Sequence, residues 1–280
     1  MSEPRKVRVI TDSTADIPLA LRRQYDIGVV PLTVRFGAES FEDGVDITPQ
    51  EFLHRMTTSP ELPTTSQPPT PTFSAEFERA LAAGQDVVCI TISSALSGTY
   101  NAARLAAEQV GHERVRVIDS RAATMQLGWI VVEAARAAQA GDDLEGVMAR
   151  ALAARGRAHL FAVLQTLEYV HKGGRIGRAQ AIVGSALAIK PVLGVVDGVV
   201  TPIERVRTWK KALARAIELA SSTGTPTDIA VLHADNARDA EATAETLRAR
   251  FPDATIVVDW AGSTILTYAG PGAVGIMTLA

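Results

Sequence analysis

Residues Thr91 to Tyr100 read TISSALSGTY and carry hydroxyls at Thr91, Ser93, Ser94, Ser97, Thr99 and Tyr100. They follow directly on the apolar run Val87-Val88-Cys89-Ile90, which reads as a buried strand. In open α/β sheets ligands collect at the carboxyl ends of strands, where loop N–H groups and helix N-termini meet. Gly98 lets the backbone approach a guest closely, the hydroxyls donate hydrogen bonds, and a helix beginning near Gly98 points free N–H groups at the same place. An anionic head group suits that arrangement. A plain helix cap is the competing reading, but one cap needs one hydroxyl.

Two other strand ends share the format, Asp12-Ser13-Thr14 and Asp119-Ser120. Asp12 reads more readily as a turn cap than as a ligand group. The loop HKGGRIGR, His171 to Arg178, sets Lys172, Arg175 and Arg178 around glycines, as an anion clamp or as a solvated turn. It is neither a Walker A loop nor a dinucleotide fingerprint. His54, His112, His159, His171 and His233 never fall at metal-ligand spacing, and no Gly-x-Ser-x-Gly elbow or nearby base supports Ser97 as a nucleophile. Hydroxyls without an acid, base or metal suggest binding, not turnover.

The elements that hold these loops alternate. KVRVITDS is a strand, IPLALRRQYD a helix with Pro18 near its first turn, and IGVVPLTVRF a second β run. Thr48-Pro49-Gln50-Glu51 is a capping box that starts a helix through about Met56. SPELPTTSQPPTP, from Ser59 to Pro71, is too proline-rich for a helix or central strand. It falls inside the strand–helix series, so we read it as a functional loop in preference to a linker. The helix FSAEFERALAAG, strand DVVCITI, helix GTYNAARLAAEQV, strand RVRVIDS and helix MQLGWIVVEAARAAQAG follow and imply a parallel sheet.

After the helix DLEGVMARALAARG the pattern changes to the strand HLFAVLQ, the helix RAQAIVGSALAI and the hairpin VLGVVDGVVTPI, with Asp197-Gly198 at a two-residue turn. Further helices (TWKKALARAIELA, NARDAEATAETLRARF) and strands (DIAVLHA, ATIVVDW, AVGIMTL) complete the chain. The expectation is an α/β protein of two domains. Residues 1–155 form a parallel-sheet α/β domain and residues 156–280 a mixed or antiparallel-sheet α+β domain.

The 28 basic and 31 acidic residues give a formal charge of −3, which offers no field for nucleic acid or an anionic membrane. Cys89 is the only cysteine, inside an apolar run, so neither a disulfide nor a thiolate metal site is expected. The N-terminus lacks an apolar stretch of signal-peptide length, and nothing approaches the roughly 18 apolar residues of a membrane span. A soluble cytoplasmic protein is expected.

The segments ITDSTADIP, VVPLTV, TTSQPP, ISSALSGTYNAA, LEYVHKGGRIG, AIKPVLGVVDGVV and GPGAVGI together resemble the DegV family of fatty-acid-binding proteins, from about Val7 to Met277 and in family order. In many bacteria members serve as the lipid-carrying subunit of fatty acid kinase. The resemblance implies a long-chain fatty acid such as palmitate between two domains, no cofactor, no catalytic residue, and a kinase catalytic subunit as partner. It assigns the carboxylate to Thr65, Ser66 and Ser97, with Ser94 as a further candidate, and places Gly98 in the same turn. Arg175 matches the arginine of the family's Gly-Gly-Arg-Ile loop, and Arg207 a basic position on the kinase-facing surface. Where many members read His-x-Gly-Pro-Gly, this chain reads TYAGPG, with Tyr268 in the histidine's place. A phenol donates a hydrogen bond but supplies no positive charge.

A C16 tail buries about fifteen CH₂/CH₃ groups, and at roughly 0.8 kcal/mol each that is on the order of 12 kcal/mol before association costs. AIVGSALAIKPVLGVV and MQLGWIVV offer apolar wall residues. A buried carboxylate without donors is heavily penalised, and clustered hydroxyls meet that need. Two alternatives differ in class. One is an enzyme on a small phosphorylated or carboxylated metabolite, which needs a compact polar pocket around HKGGRIGR. The other is an adaptor whose basic face RVRTWKKALAR meets a partner.

Overall fold

A computed structural model of the protein describes residues 5–111 and 113–280, with the backbone alone for residues 183–188. Residues 1–4 of the N-terminal segment, His112, and the side chains of 183–188 within the wall segment AIVGSALAIKPVLGVV lie outside the described residues.

The first half runs β1 (Val7–Asp12), a 3₁₀ turn (Ser13–Ala15), α1 (Leu19–Gln24), β2 (Gly28–Val30), β3 (Thr33–Phe36), β4 (Glu39–Glu42) and α2 (Pro49–Thr58). It goes on through β5 (Thr64–Ser66), α3 (Thr70–Ala82), β6 (Asp86–Thr91), α4 (Thr99–Val110), β7 (Val115–Asp119), α5 (Thr124–Ala140) and α6 (Leu144–Arg155). The second half runs β8 (Ala158–Val163), α7 (Glu168–Lys172), a 3₁₀ stretch (Gly177–Ala188), β9 (Lys190–Val196), β10 (Val199–Val206) and α8 (Trp209–Ser221). Then come β11 (Asp228–His233), α9 (Ala237–Arg250), β12 (Thr255–Trp260), α10 (Ser263–Ala269) and β13 (Val274–Leu279).

Strand–helix alternation yields a four-stranded parallel sheet of order β2-β1-β6-β7. Every residue of β6 is buried, as expected of a strand with helices on both faces. The second half forms a six-stranded mixed sheet, β10-β9-β8-β13-β11-β12, in which β11–β12 is the parallel pair. Asp197 and Gly198, both at positive φ, make the tight turn between β9 and β10. The protein is thus an α/β molecule of two domains.

Helix α5 lies between the sheets, against β1 and β6 on one side and β8 and β13 on the other. Its residues from Met125 to Val132 are all buried. Two of its polar side chains donate across the interface: Trp129 Nε1 to the Met277 carbonyl at 3.2 Å and Gln126 Nε2 to the Ala158 carbonyl at 2.9 Å. The Arg136 guanidinium grips buried Asp228 of β11 with two bonds of 2.9 and 2.7 Å. The MQLGWIVV segment is therefore interdomain core.

Three sequence expectations change. IGVVPLTVRF is not one run: β2 joins the parallel sheet while β3 joins a separate antiparallel sheet, β4-β3-β5. Pro31 between them lacks an N–H for a continuous ladder. The proline-rich loop contains β5, which the rule against proline allows because β5 is an edge strand bounded by Pro63 and Pro68. RAQAIVGSALAI takes 3₁₀ geometry, not α-helical. Among the described residues no helix is long and apolar enough to cross a membrane.

Candidate functional site

Side chains alternate across a strand, and in the mixed sheet that alternation decides what meets the gap between the domains. Phe161 and Val163 of β8 turn into the core cluster that includes α8 and α9 side chains, whereas Leu160 and Ala162 turn the other way. With Leu193 and Val195 of β9, Leu232 of β11 and Met277 of β13 they wall a cavity of about 160 Å³. That is roughly ten times the 10–15 Å³ one water needs. Leu32, Ile92 and Leu96 close it from the parallel-sheet side. A predominantly apolar wall holds hydrocarbon better than water.

Polar groups gather where two loops of the first domain meet α10 of the second. Thr65, central in β5, hydrogen-bonds its Oγ1 to the Tyr268 hydroxyl at 2.5 Å. Tyr268 packs its ring beside Gly173, where a Cβ would come within 2.6 Å of Cδ1 and Cε1. Arg175 stacks its guanidinium 5.3 Å from the ring centroid, donates Nε to the Leu96 carbonyl at 3.2 Å and Nη1 to the Gly173 carbonyl at 2.9 Å. Ser97 Oγ pairs with Thr99 Oγ1 at 2.8 Å and accepts the Thr99 N–H at 3.3 Å. Thr65, Ser97, Arg175 and Tyr268 all line the cavity. The cluster offers hydroxyl donors and one exposed cation to an anion whose tail lies in the apolar space.

The remaining sequence-derived residues are placed differently. Ser66 is half-buried on β5 next to Thr65, so its side chain leaves on the other face and does not line the cavity. Ser94 is exposed and donates its hydroxyl to Asp119 Oδ2 at 2.5 Å, which draws it away from Ser97. Gly98 serves the loop contact: a Cβ there would lie 1.8 Å from Gln67 Oε1, so the Gln67 side chain of the Thr-Ser-Gln-Pro loop would have to move aside. Ser93 bridges the domains, donating to the Gly198 carbonyl at 2.8 Å, so the hairpin turn docks on the hydroxyl loop. The anion clamp disperses: Lys172 pairs with Glu168 at 2.6 Å and Arg178 is exposed, leaving Arg175 alone at the cavity. Arg207 is exposed beyond β10.

A second polar group, of carboxylates, sits after β1 and β4. Asp12 accepts the Thr14 N–H at 3.0 Å and the Ile92 N–H at 2.8 Å, capping one turn and clamping β1 to the strand end of β6. Burial pushes its carboxyl up to about 6, against those hydrogen bonds. Asp16 accepts the Gly262 N–H at 3.1 Å and the Thr124 hydroxyl at 2.7 Å, and burial, with the neighbouring Asp43 charge adding to it, raises its carboxyl well above the usual range. Asp43 accepts the N–H groups of Ser263 at 2.9 Å and Thr264 at 3.2 Å, and the Ser13 hydroxyl at 3.1 Å. First-domain acids thus fasten the start of α10, whose other end carries Tyr268.

Thr124, Thr264 and His233 also line the cavity, and sequence reasoning did not single them out for it. Thr124 holds a left-handed φ of 51°, a strained conformation for a β-branched residue, secured by Asp16. His233 packs 4.8 Å from the Trp260 ring, and burial lowers its pKa, which keeps it neutral near pH 7. Burial likewise raises the Cys89 thiol well above its ordinary value, away from the reactive thiolate form. Among the described residues no group of three or more His, Cys, Asp or Glu is arranged to hold a metal ion.

Residues 6–280 match the family model described as "Uncharacterised protein, DegV family". A DegV domain-containing protein of Streptomyces coelicolor is 39% identical over 279 residues, which cover 98% of each chain. Among solved structures, a Thermus thermophilus DegV family protein described for its fatty acid binding superposes with a TM-score of 0.91 at 32% identity, covering 98% of this chain and 99% of that one. DegV of Bacillus subtilis, described as a fatty acid binding protein, superposes with a TM-score of 0.90 at 32% identity over 99% and 100% of the two chains.

Proposed function

The chain belongs to the DegV family, and from that premise we propose that it binds a long-chain fatty acid between its two domains, without catalysing a reaction on it. The observation that carries this reading is the cavity itself, apolar along the mixed sheet and furnished with hydroxyls where Thr65, Ser97 and Tyr268 come together. We set the domain boundary between residues 155 and 156, after α6 and before β8.

In this reading the acyl chain, palmitate or a relative of similar length, lies along Leu160, Ala162, Leu193 and Val195. Its burial supplies the affinity, on the order of 12 kcal/mol gross for sixteen carbons. The carboxylate sits at Thr65, Ser97 and Tyr268, where hydroxyl donors offset its desolvation. Arg175, exposed at the mouth, supplies the positive charge that Tyr268 lacks and neutralises the head group from the solvent side. Ser66, Gly98 and Ser94 then act at one remove, shaping the two loops. The carboxylate is presented to a kinase partner for acyl-phosphate formation, and Arg207, exposed beside Arg205 and Lys210, belongs to the surface that meets it. The dispersal of Lys172 and Arg178 from Arg175 speaks against a compact anion-binding active site.

Protein purified from bacteria and denatured for mass spectrometry is expected to release a long-chain fatty acid in near-stoichiometric amount. A release of solvent components only, from protein that also fails to take up added palmitate, would falsify the reading.

A further inference from the structure

Thr264 is the second residue of α10 and lines the cavity, 3% exposed. Its Oγ1 has no hydrogen-bond partner among the described residues. A threonine inside a helix can return its hydroxyl to a carbonyl one turn back, but for Thr264, in the first turn, those carbonyls belong to Trp260 and Ala261, which precede the helix. Thr267, three residues on, does so to the Ser263 carbonyl at 3.0 Å. Thr264 does not, although its own N–H is held by Asp43 at 3.2 Å, which fixes the backbone from which the side chain projects. A buried hydroxyl without a partner is penalised, and an acyl chain has nothing to satisfy it with.

The hydroxyls nearby are short of free protons. Thr65 and Tyr268 spend one of their two O–H groups on each other, and Ser97 and Thr99 do the same. Each pair therefore has one O–H left to give. An ionised carboxylate has about four lone-pair sites. Thr264 lies four residues before Tyr268, on the same helix face, and a helical aromatic side chain leans back toward the turn that precedes it. The unused hydroxyl thus shares the cavity wall and the helix turn with the residue assigned to the head group.

We infer that Thr264 is a specificity-determining residue whose hydroxyl donates to the carboxylate of the bound fatty acid, so that the ionised acid is favoured over an uncharged lipid with the same tail. The inference rests on the function proposed above. No bond is made or broken; the contact is a hydrogen bond whose donor is idle until the acid arrives.

The test uses full-length, delipidated wild-type protein, Thr264→Val and Thr264→Ser, each titrated with palmitate and with hexadecanol from the same cyclodextrin carrier. Valine keeps the shape and removes the hydroxyl, and serine keeps the hydroxyl. Thr264→Val is expected to weaken palmitate binding about tenfold or more, the usual worth of a hydrogen bond to a charged acceptor. Hexadecanol binding should change by less than about threefold, and Thr264→Ser should stay within about threefold of wild type for palmitate. The lipid-free Tm of Thr264→Val should equal or exceed that of wild type, because an unsatisfied polar group has been removed. Unchanged palmitate affinity in Thr264→Val, equal losses for both lipids, or a lowered lipid-free Tm with equal losses would assign the residue to packing and overturn the inference while leaving the fatty acid reading intact. Wild-type protein that binds neither lipid would overturn both.

Discussion

The first domain carries two polar clusters near the carboxyl ends of its parallel strands, and they are used in opposite ways. Asp12, Asp16 and Asp43 are acceptors, and their oxygens are occupied by N–H and O–H donors, several of them from the second domain. Thr65, Ser97 and Thr99 are donors as well as acceptors, paired with one another or with Tyr268 in bonds that leave protons over. In one cluster Asp12 ties β1 to the end of β6 while Asp16 and Asp43 bond across to the start of α10, and the other cluster keeps hydrogen-bonding capacity unspent. A carboxylate buried at a domain boundary demands donors permanently, whereas a hydroxyl can accept from a neighbour and still donate onward. The first domain therefore supplies a structural fastening at one end of α10 and the proposed reception site at the other.

That division is broken most severely at Asp43. Asp43→Ala strips the acceptor from two backbone N–H groups and a serine hydroxyl, and a stability loss of about 4 kcal/mol is expected in urea unfolding. A loss below about 1 kcal/mol would show that the acids are not the fastening.

Protonation is the next largest lever. Asp12 has a folded pKa of about 6 against 3.8 for the free side chain, so between pH 4 and pH 6 the unfolded chain releases a proton that the folded one keeps. Stability from this group is therefore highest below pH 4, declines as pH rises, and levels above pH 6, by on the order of 3 kcal/mol in all. Asp16 is shifted in the same direction, while His159 and His233, lowered by burial, act the opposite way as pH falls below 6.5. The comparison of wild type with Asp12→Asn isolates the Asp12 contribution. Equal pH slopes in the two proteins would remove Asp12 from the account.

The hydroxyl cluster should respond in ligand retention and barely in fold. Ser97→Ala is expected to weaken palmitate binding by about 1–3 kcal/mol with little change in Tm, whereas Ser94→Ala, whose exposed hydroxyl is tied to half-buried Asp119, should cost less than about 0.5 kcal/mol. Equal effects of the two would mean that proximity in sequence, not placement at the cavity, governs the site.

Much of this was legible in the chain because the signals are local. The proline at the first turn of α2 and the Thr48 cap, the Asp-Gly turn between β9 and β10, and the unbroken apolar run of β6 each reflect constraints within a few residues. Departures arose where a distant contact decides a local matter. Pro31 could have flagged the break between β2 and β3, but not that β3 would pair with β5. Helix α10, rich in β-branched residues and seven residues long, has no strong helical pattern and depends on Asp43 for its first N–H groups. Thr124 is strained locally and held by an acid more than a hundred positions away.

The sequence by itself determined the two kinds of sheet, the presence of a hydroxyl-rich loop at a strand end and the shortage of fixed charge, because propensity, periodicity and turn chemistry act over one or two turns of chain. Tertiary structure alone decided that Ser97 faces the cavity and Ser94 faces Asp119, that Thr65 meets Tyr268 from 203 positions away, and that Thr264 keeps its hydroxyl free. Those outcomes depend on how two domains close on each other, and a hydrogen bond reaching about 3 Å is set by that closure and not by the identity of either partner.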